Sequence, residues 1–107
     1  MLAAAAAPPD CFVVMPFGIA DTDQVWTKVY EPTITGCGLH PVRIDREDNG
    51  GLLLAQIIER LQTSFLVLTD LTYARPNCYY ELGYAMGLGR ERSVILCCRD
   101  DHVSVPG

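Results

Sequence analysis

Residues 65–85, FLVLTDLTYARPNCYYELGYA, decide how this chain folds. The run at 65–68 is short and entirely apolar, which is typical of a buried parallel strand. A polar loop follows, in which Pro76 and Asn77 are turn or helix-start residues. Residues 78–88 then predict a helix that small residues interrupt. The stretch therefore predicts a strand, a loop and a helix, with Asp70 at the end of the strand and Glu81 near the start of the helix.

The rest of the chain repeats this alternation. Apolar runs predict strands at 11–15, 39–44 and 93–98. A first helix should be capped by Asp21 or Thr22 and kinked or ended early by Pro32. The apolar stripes at helical spacing are Val25, Trp26, Val29, Tyr30 and Ile34 in this helix, and Leu54, Ile57, Ile58 and Leu61 in the next.

Strands that alternate with helices indicate parallel strands joined by right-handed crossovers. Four such strands predict an α/β, flavodoxin-like three-layer sandwich with a sheet of order 2-1-3-4, in which Pro41 places strand two at an edge. The loops at 15–20 and 70–77 should then converge on one crevice at the topological switch point. The residues expected at the centre of the sheet are Val13, Val14, Leu66, Val67, Leu68, Ile95 and Leu96.

The 107 residues suffice for one small domain, and the hydrophobic share of 50% is typical of a globular protein. Residues 1–9 lack the basic region of a secretory signal, so we expect a flexible lead-in before a single domain at 10–107. The sequence stops soon after its last predicted strand. We therefore expect a domain cut from a longer protein, or one that lacks its last strand and helix.

Charge and cysteine content narrow the class of function. A formal net charge of -5 argues against binding to a nucleic-acid polymer, which normally requires a basic face. No apolar run approaches the roughly 18 residues that span a membrane. The five cysteines include no CxxC pair and predict reduced, mostly buried thiols of a cytoplasmic protein. Neither His40 nor His102 has ligand spacing with a cysteine, so we expect no metal site.

Glu81 is the sharpest candidate for chemistry. A carboxylate near a helix start is stabilised in its charged form by the helix dipole and the free amides. An anionic carboxylate can stabilise an oxocarbenium ion or attack an anomeric carbon as a nucleophile. The alternative is a structural glutamate that complements the dipole or closes a capping box from Cys78 or Asn77.

Other polar residues follow the strands at the same predicted edge. Asp70 could orient a ribose hydroxyl, but an aspartate at a strand end is also a common turn former. Arg43 and Asp45 follow strand two and could contact a ligand or simply pair with each other on the surface.

Glycines and tyrosines in the last predicted helix need an explanation of their own. Gly83 and Gly87 each cost roughly 1 kcal/mol relative to alanine inside a helix. Close packing on the sheet, or a ligand that approaches the backbone, should offset that cost. The aromatic group of Tyr79, Tyr80 and Tyr84 could stack on a base, although aromatic residues at helical spacing more often belong to the core.

Four motifs carry a resemblance to a known superfamily: CFVVMPFG at 11–18, VRID at 42–45, TDLT at 69–72 and PNCYYELGYA at 76–85. Together with the strand at 94–95, they resemble the TIR-like and nucleoside 2-deoxyribosyltransferase-like superfamily over about residues 11–98, and ELGYA is the most specific part. In the deoxyribosyltransferases a glutamate of this segment is the nucleophile. In catalytic TIR domains an equivalent helix glutamate supports cleavage of the nicotinamide–ribose bond of NAD. Glu81 occupies this position.

The resemblance implies a nucleotide-binding TIR-like domain that cleaves an N-glycosidic bond, with NAD as its substrate and no cofactor. It leaves two alternatives: a nucleoside 2-deoxyribosyltransferase or nucleotide N-glycosidase, and a non-catalytic nucleotide-binding or self-assembling signalling module. Arg75 stands where transferases offer an aspartate, which argues against transfer between bases. The expected partners are further copies of the chain or other domains of a longer chain. Around Glu81, the residues expected to contact substrate are Met15, Pro16, Phe17, Gly18, Arg43, Asp45, Asp70, Thr72, Asn77 and Tyr80.

Overall fold

A computed structural model describes residues 7–44 and 50–99 of the chain. Its four strands form one parallel sheet with the order β2-β1-β3-β4. The predicted α/β class, flavodoxin-like architecture and strand order are therefore confirmed. The strands are β1 (Asp10–Val14), β2 (His40–Val42), β3 (Leu66–Asp70) and β4 (Val94–Cys97).

Helices cover both faces of this sheet. They are α1 (Ala20–Val25), a π-helical segment (Trp26–Tyr30), α2 (Glu31–Gly36), α3 (Gly50–Thr63) and α4 (Pro76–Gly87), with short 3-10 turns at Thr72–Ala74 and Glu91–Ser93. None of the helices in the described ranges combines the length and apolarity that a membrane span requires.

Two hydrophobic clusters form the core, one on each face. Successive side chains of a strand point to opposite faces. Phe12 and Val14 of β1 accordingly pack with α3 and α4. Cys11 and Val13 instead pack with Ile34 of α2 on the other face. The result is three layers, with β1 and β3 at the centre of the sheet.

Of the two edge strands, β2 agrees with the prediction and β4 does not. Pro41 lies in β2, an edge strand, as predicted. Ile95 and Leu96 were predicted at the centre, and this was wrong, because they are 45% and 52% exposed. Within the described residues β4 pairs only with β3, so it is an edge strand that neighbouring elements cover incompletely.

The first helical segment also departs from its prediction. Ile19, which has no polar side-chain atom, precedes α1 as the N-cap residue, while the Thr22 hydroxyl donates back to the Ile19 carbonyl at 2.9 Å. Pro32 does not end the helix, because it lies in the first turn of α2, where its missing N–H is not needed. Val29, placed in the apolar stripe, is 49% exposed.

The remaining predictions concern the thiols and segments that the structure does not describe. All five cysteines are free thiols, but only Cys11 and Cys78 are buried, so the prediction of mostly buried thiols was wrong. Burial raises the pKa of the Cys11 thiol to about 11. Most of the lead-in (1–6), the loop at 45–49 with Asp45, and residues 100–107 lie outside the described residues.

Candidate functional site

A small cavity opens where the loops after β1 and β3 meet. Its volume is about 120 Å³, and it is lined by Pro16, Phe17, Arg75 and Asn77. The residues come from both loops that were expected to converge at the switch point between the two central strands. Ligand pockets usually enclose roughly 300–1,000 Å³, so this cavity has room for one group of a ligand rather than a whole nucleotide.

Arg43 holds the loop after β1 in place. One of its guanidinium nitrogens, Nη2, donates to the Pro16 carbonyl at 2.7 Å and to Asp23 Oδ1 at 2.8 Å. The guanidinium carbon lies 4.0 Å from the centroid of the Phe17 ring, and the side chain is only 10% exposed. Gly18 turns the same loop with a φ of +73°, a left-handed conformation that glycine adopts readily. Arg43 thus fixes the position of Pro16 and Phe17 in the cavity wall.

Asp70 ends β3 as a buried carboxylate with two protein partners. Its Oδ2 accepts the Tyr30 hydroxyl at 2.6 Å, and its Oδ1 accepts the Thr72 N–H at 2.9 Å. The second bond is the turn-forming contact that was one of the two interpretations of this residue. Burial, followed by the contact with Asp70, raises the pKa of Tyr30, which therefore remains a hydrogen-bond donor. Burial likewise raises the pKa of the adjacent Cys97 thiol.

Glu81 lies deeper in the fold than its spacing suggested. Because α4 begins at Pro76, Glu81 falls in the second helical turn, and a capping box from Cys78 or Asn77 is excluded. It is 3% exposed and shares the inward face of α4 with Cys78 and Ala85. Asn77, in the cavity wall, precedes it by four residues and is therefore its neighbour on the helix surface. A buried carboxylate lies one turn below the cavity.

The small and aromatic residues of α4 are less packed than expected. Apart from the chain neighbours and the backbone of α4 itself, no described atom lies within 4 Å of the position that a Cβ would take at Gly83 or Gly87, so the described residues do not pack closely on either glycine as the first of the two explanations required. Tyr80 is 60% exposed and Tyr79 48%, which leaves both rings available at the surface. Tyr84 packs against the core.

A clasp that the sequence did not suggest crosses the same edge, formed by Asp21, Tyr73 and Arg99. The Tyr73 hydroxyl and the Arg99 guanidinium both donate to Asp21 Oδ2, each at 2.5 Å. These contacts, the Tyr73 hydroxyl first, lower the pKa of Asp21. Tyr73 and Ala74 have φ values of +68° and +48°, which non-glycine residues rarely adopt. The clasp therefore holds a strained loop beside the cavity.

The expected substrate contacts divide into groups. Pro16, Phe17 and Asn77 line the cavity, and Gly18 adjoins it in sequence. Met15, Asp70 and Thr72 are buried, and Tyr80 lies at the surface. Arg75 lines the cavity without having been predicted as a contact, although its position just before the helix-starting Pro76 at the switch point was a usable signal.

Comparisons with known proteins add no assignment. No family model matches the chain, and no curated protein matches it. Within the described part of the chain, no group of three or more histidine, cysteine, aspartate or glutamate side chains is placed to hold a metal ion.

Proposed function

We propose that this chain is a TIR-like domain that binds a nucleotide, with NAD as the substrate, and cleaves its N-glycosidic bond. The observation that carries the proposal is the position of Glu81, a 3%-exposed carboxylate one helical turn below a cavity at the switch point. Carboxylates are seldom fully buried, and a hydrophobic residue would pack between helix and sheet at lower cost. A reacting group near a developing positive charge would explain its presence.

The proposed chemistry requires little beyond this carboxylate. The C1′–N bond breaks, and its electron pair leaves with nicotinamide, whose positive ring charge is thereby neutralised. The ribose carbon becomes an oxocarbenium centre, which Glu81 stabilises by charge or captures as an ester. Water then adds at C1′ and releases a proton, giving ADP-ribose. Movement of the substrate or of the clasped loop would bring C1′ and the buried carboxylate together.

The lining residues of the cavity offer no acid that could protonate a neutral leaving base. A neutral purine leaves a sugar readily only after protonation, which calls for a nearby acid. Arg75, the charged residue in the wall, carries a guanidinium, which is a hydrogen-bond donor and not a general acid. Nicotinamide needs no such proton. This favours NAD cleavage over base transfer, and a non-catalytic binding module remains the rival in which Glu81 is structural.

The test is the Glu81→Gln variant, which retains size and hydrogen bonding but loses the negative charge. We expect the release of nicotinamide from NAD to fall on the order of a hundredfold or more, since the interaction is made with transition-state charge. NAD binding, measured by calorimetry, should persist. Glu59→Gln, which changes an exposed glutamate of α3, is the matched control.

Three results would contradict the proposal. Full turnover by the Glu81→Gln variant would remove this residue from the mechanism. Wild-type protein that releases neither nicotinamide from NAD nor free base from deoxynucleosides, while binding them, would leave the binding-module interpretation. Release from deoxynucleosides alone would instead support the transferase or nucleosidase alternative.

A further inference from the structure

We infer that Arg75 makes the crevice selective for phosphorylated ligands, because it binds the 5′-phosphate of a nucleotide inside the cavity. The inference rests on the proposed function only in taking a nucleotide as the ligand. It goes further in naming the group that is recognised and the residue that distinguishes a nucleotide from the corresponding nucleoside.

The charge at the cavity is opposite in sign to that of the whole chain. Its four lining residues include the Arg75 guanidinium and the Asn77 amide but no carboxylate. The chain itself carries a formal net charge of -5. Helix α4 begins at Pro76, directly beside Arg75, so the positive end of its dipole acts in the same direction. An anionic group is therefore attracted to this cavity.

Among the described arginines of this edge, Arg75 is also the one that is not paired with a carboxylate. Arg43 is paired with Asp23 and Arg99 with Asp21. The Arg75 side chain is exposed and, among the residues that the structure describes, forms neither a hydrogen bond nor an ion pair. A guanidinium without a partner in a cavity wall can donate two parallel hydrogen bonds to phosphate oxygens.

The dimensions fit this assignment. A volume of about 120 Å³ has room for a phosphate group but not for a whole nucleotide. The Phe17 ring, held by Arg43, forms an apolar wall beside the polar one and suits the sugar or base. The rest of the ligand would lie over the open surface.

The test compares ligand pairs that differ only in the 5′-phosphate: nicotinamide mononucleotide with nicotinamide riboside, and AMP with adenosine. Calorimetry on the Glu81→Gln chain measures binding without turnover. The AMP and adenosine measurements are then repeated on the wild-type chain. We expect each nucleotide to bind about tenfold or more tightly than its nucleoside, since a charge-assisted contact of this kind is lost without the phosphate. Added salt should reduce this preference.

Arg75→Gln should abolish the preference and leave nucleoside affinity unchanged, and Arg75→Glu should weaken nucleotide binding further. Arg92→Gln, at another exposed arginine, should leave the preference intact. Equal affinity for nucleotide and nucleoside, an unchanged preference in Arg75→Gln, or no binding of either nucleotide would overturn the inference. Glu81-dependent turnover without any phosphate preference would overturn this inference but not the proposed function. Phosphate preference without turnover would overturn the proposed function but not this inference.

Discussion

Tyr30 reaches Asp70 from the π-helical segment Trp26–Tyr30, whose wider turns change the direction of the side chains that follow. From its sequence spacing Tyr30 was one member of an apolar stripe. In the structure its ring packs at the edge of the core while its hydroxyl holds a buried carboxylate. Such π-helical turns occur often near functional sites, and this one supports the residue that ends the central strand.

At pH 7 the Tyr30→Phe variant should be less stable than wild type by about 1.5–3 kcal/mol, because a hydrogen bond to a charged, buried partner is lost. Since the pKa of Tyr30 is raised by burial and by Asp70, the folded chain keeps this proton at high pH. The unfolded chain releases it above about pH 10. Wild-type stability should therefore fall as pH rises past this value, and the difference between the two proteins should narrow.

Urea unfolding at a series of pH values from 7 to 11 measures this difference. Tyr79→Phe, at a tyrosine that is 48% exposed, is the control and should show neither effect. A wild-type advantage that is absent at pH 7, or that stays constant up to pH 11, would contradict the role assigned to the Tyr30 hydroxyl.

At the scale of helices and strands, the sheet order followed from short apolar runs that alternate with helical stripes. Such patterns depend on local spacing, and they located every described strand to within a few residues. The clasp between Asp21 and Tyr73 joins residues 52 positions apart, and no local pattern signals such a pair. The burial of Glu81 was missed for a related reason. The start of α4 at Pro76 set the face on which Glu81 lies, and this boundary was placed two residues too late.

The glycines in and just after helix α4 differ in what an alanine substitution should do to stability. Gly83→Ala should stabilise the chain by up to about 1 kcal/mol, because alanine lowers the entropy cost of the helix and its methyl group meets open space. Gly89→Ala should destabilise it, since the backbone there has a φ of +76°. Thermal unfolding of both variants measures the two signs. A loss of stability in Gly83→Ala would show that its backbone is approached by something other than the described residues.

At the scale of the whole molecule, the two sheet edges differ. Edge strand β2 carries Pro41, which cannot donate a backbone hydrogen bond and so discourages pairing with another strand. Edge strand β4 exposes Ile95 and Leu96 by 45% and 52%. Apolar residues in an edge strand favour association with another chain.

We therefore expect that a single copy is weakly active and that specific activity rises steeply with protein concentration, as copies associate through β4. Leu96→Lys should shift this rise to higher concentrations. Leu54→Lys, at a leucine of α3 that is 46% exposed, should not. Sedimentation and nicotinamide release over one dilution series measure both effects. Specific activity that stays flat across the series would contradict assembly.

The parallel order of the sheet also governs how fast the chain can fold. Each strand pair joins segments separated by a crossover, and the central pair begins by joining Cys11 to Leu66. Helices can form locally, but β1 has no partner until β2 or β3 is brought to it, so loop closure precedes any gain from the sheet. During synthesis β1 is made before the other three strands. Its central neighbour, β3, follows only after β2 and α3. The run of apolar residues in β1 is then the segment most exposed to wrong partners before the native pairing shields it.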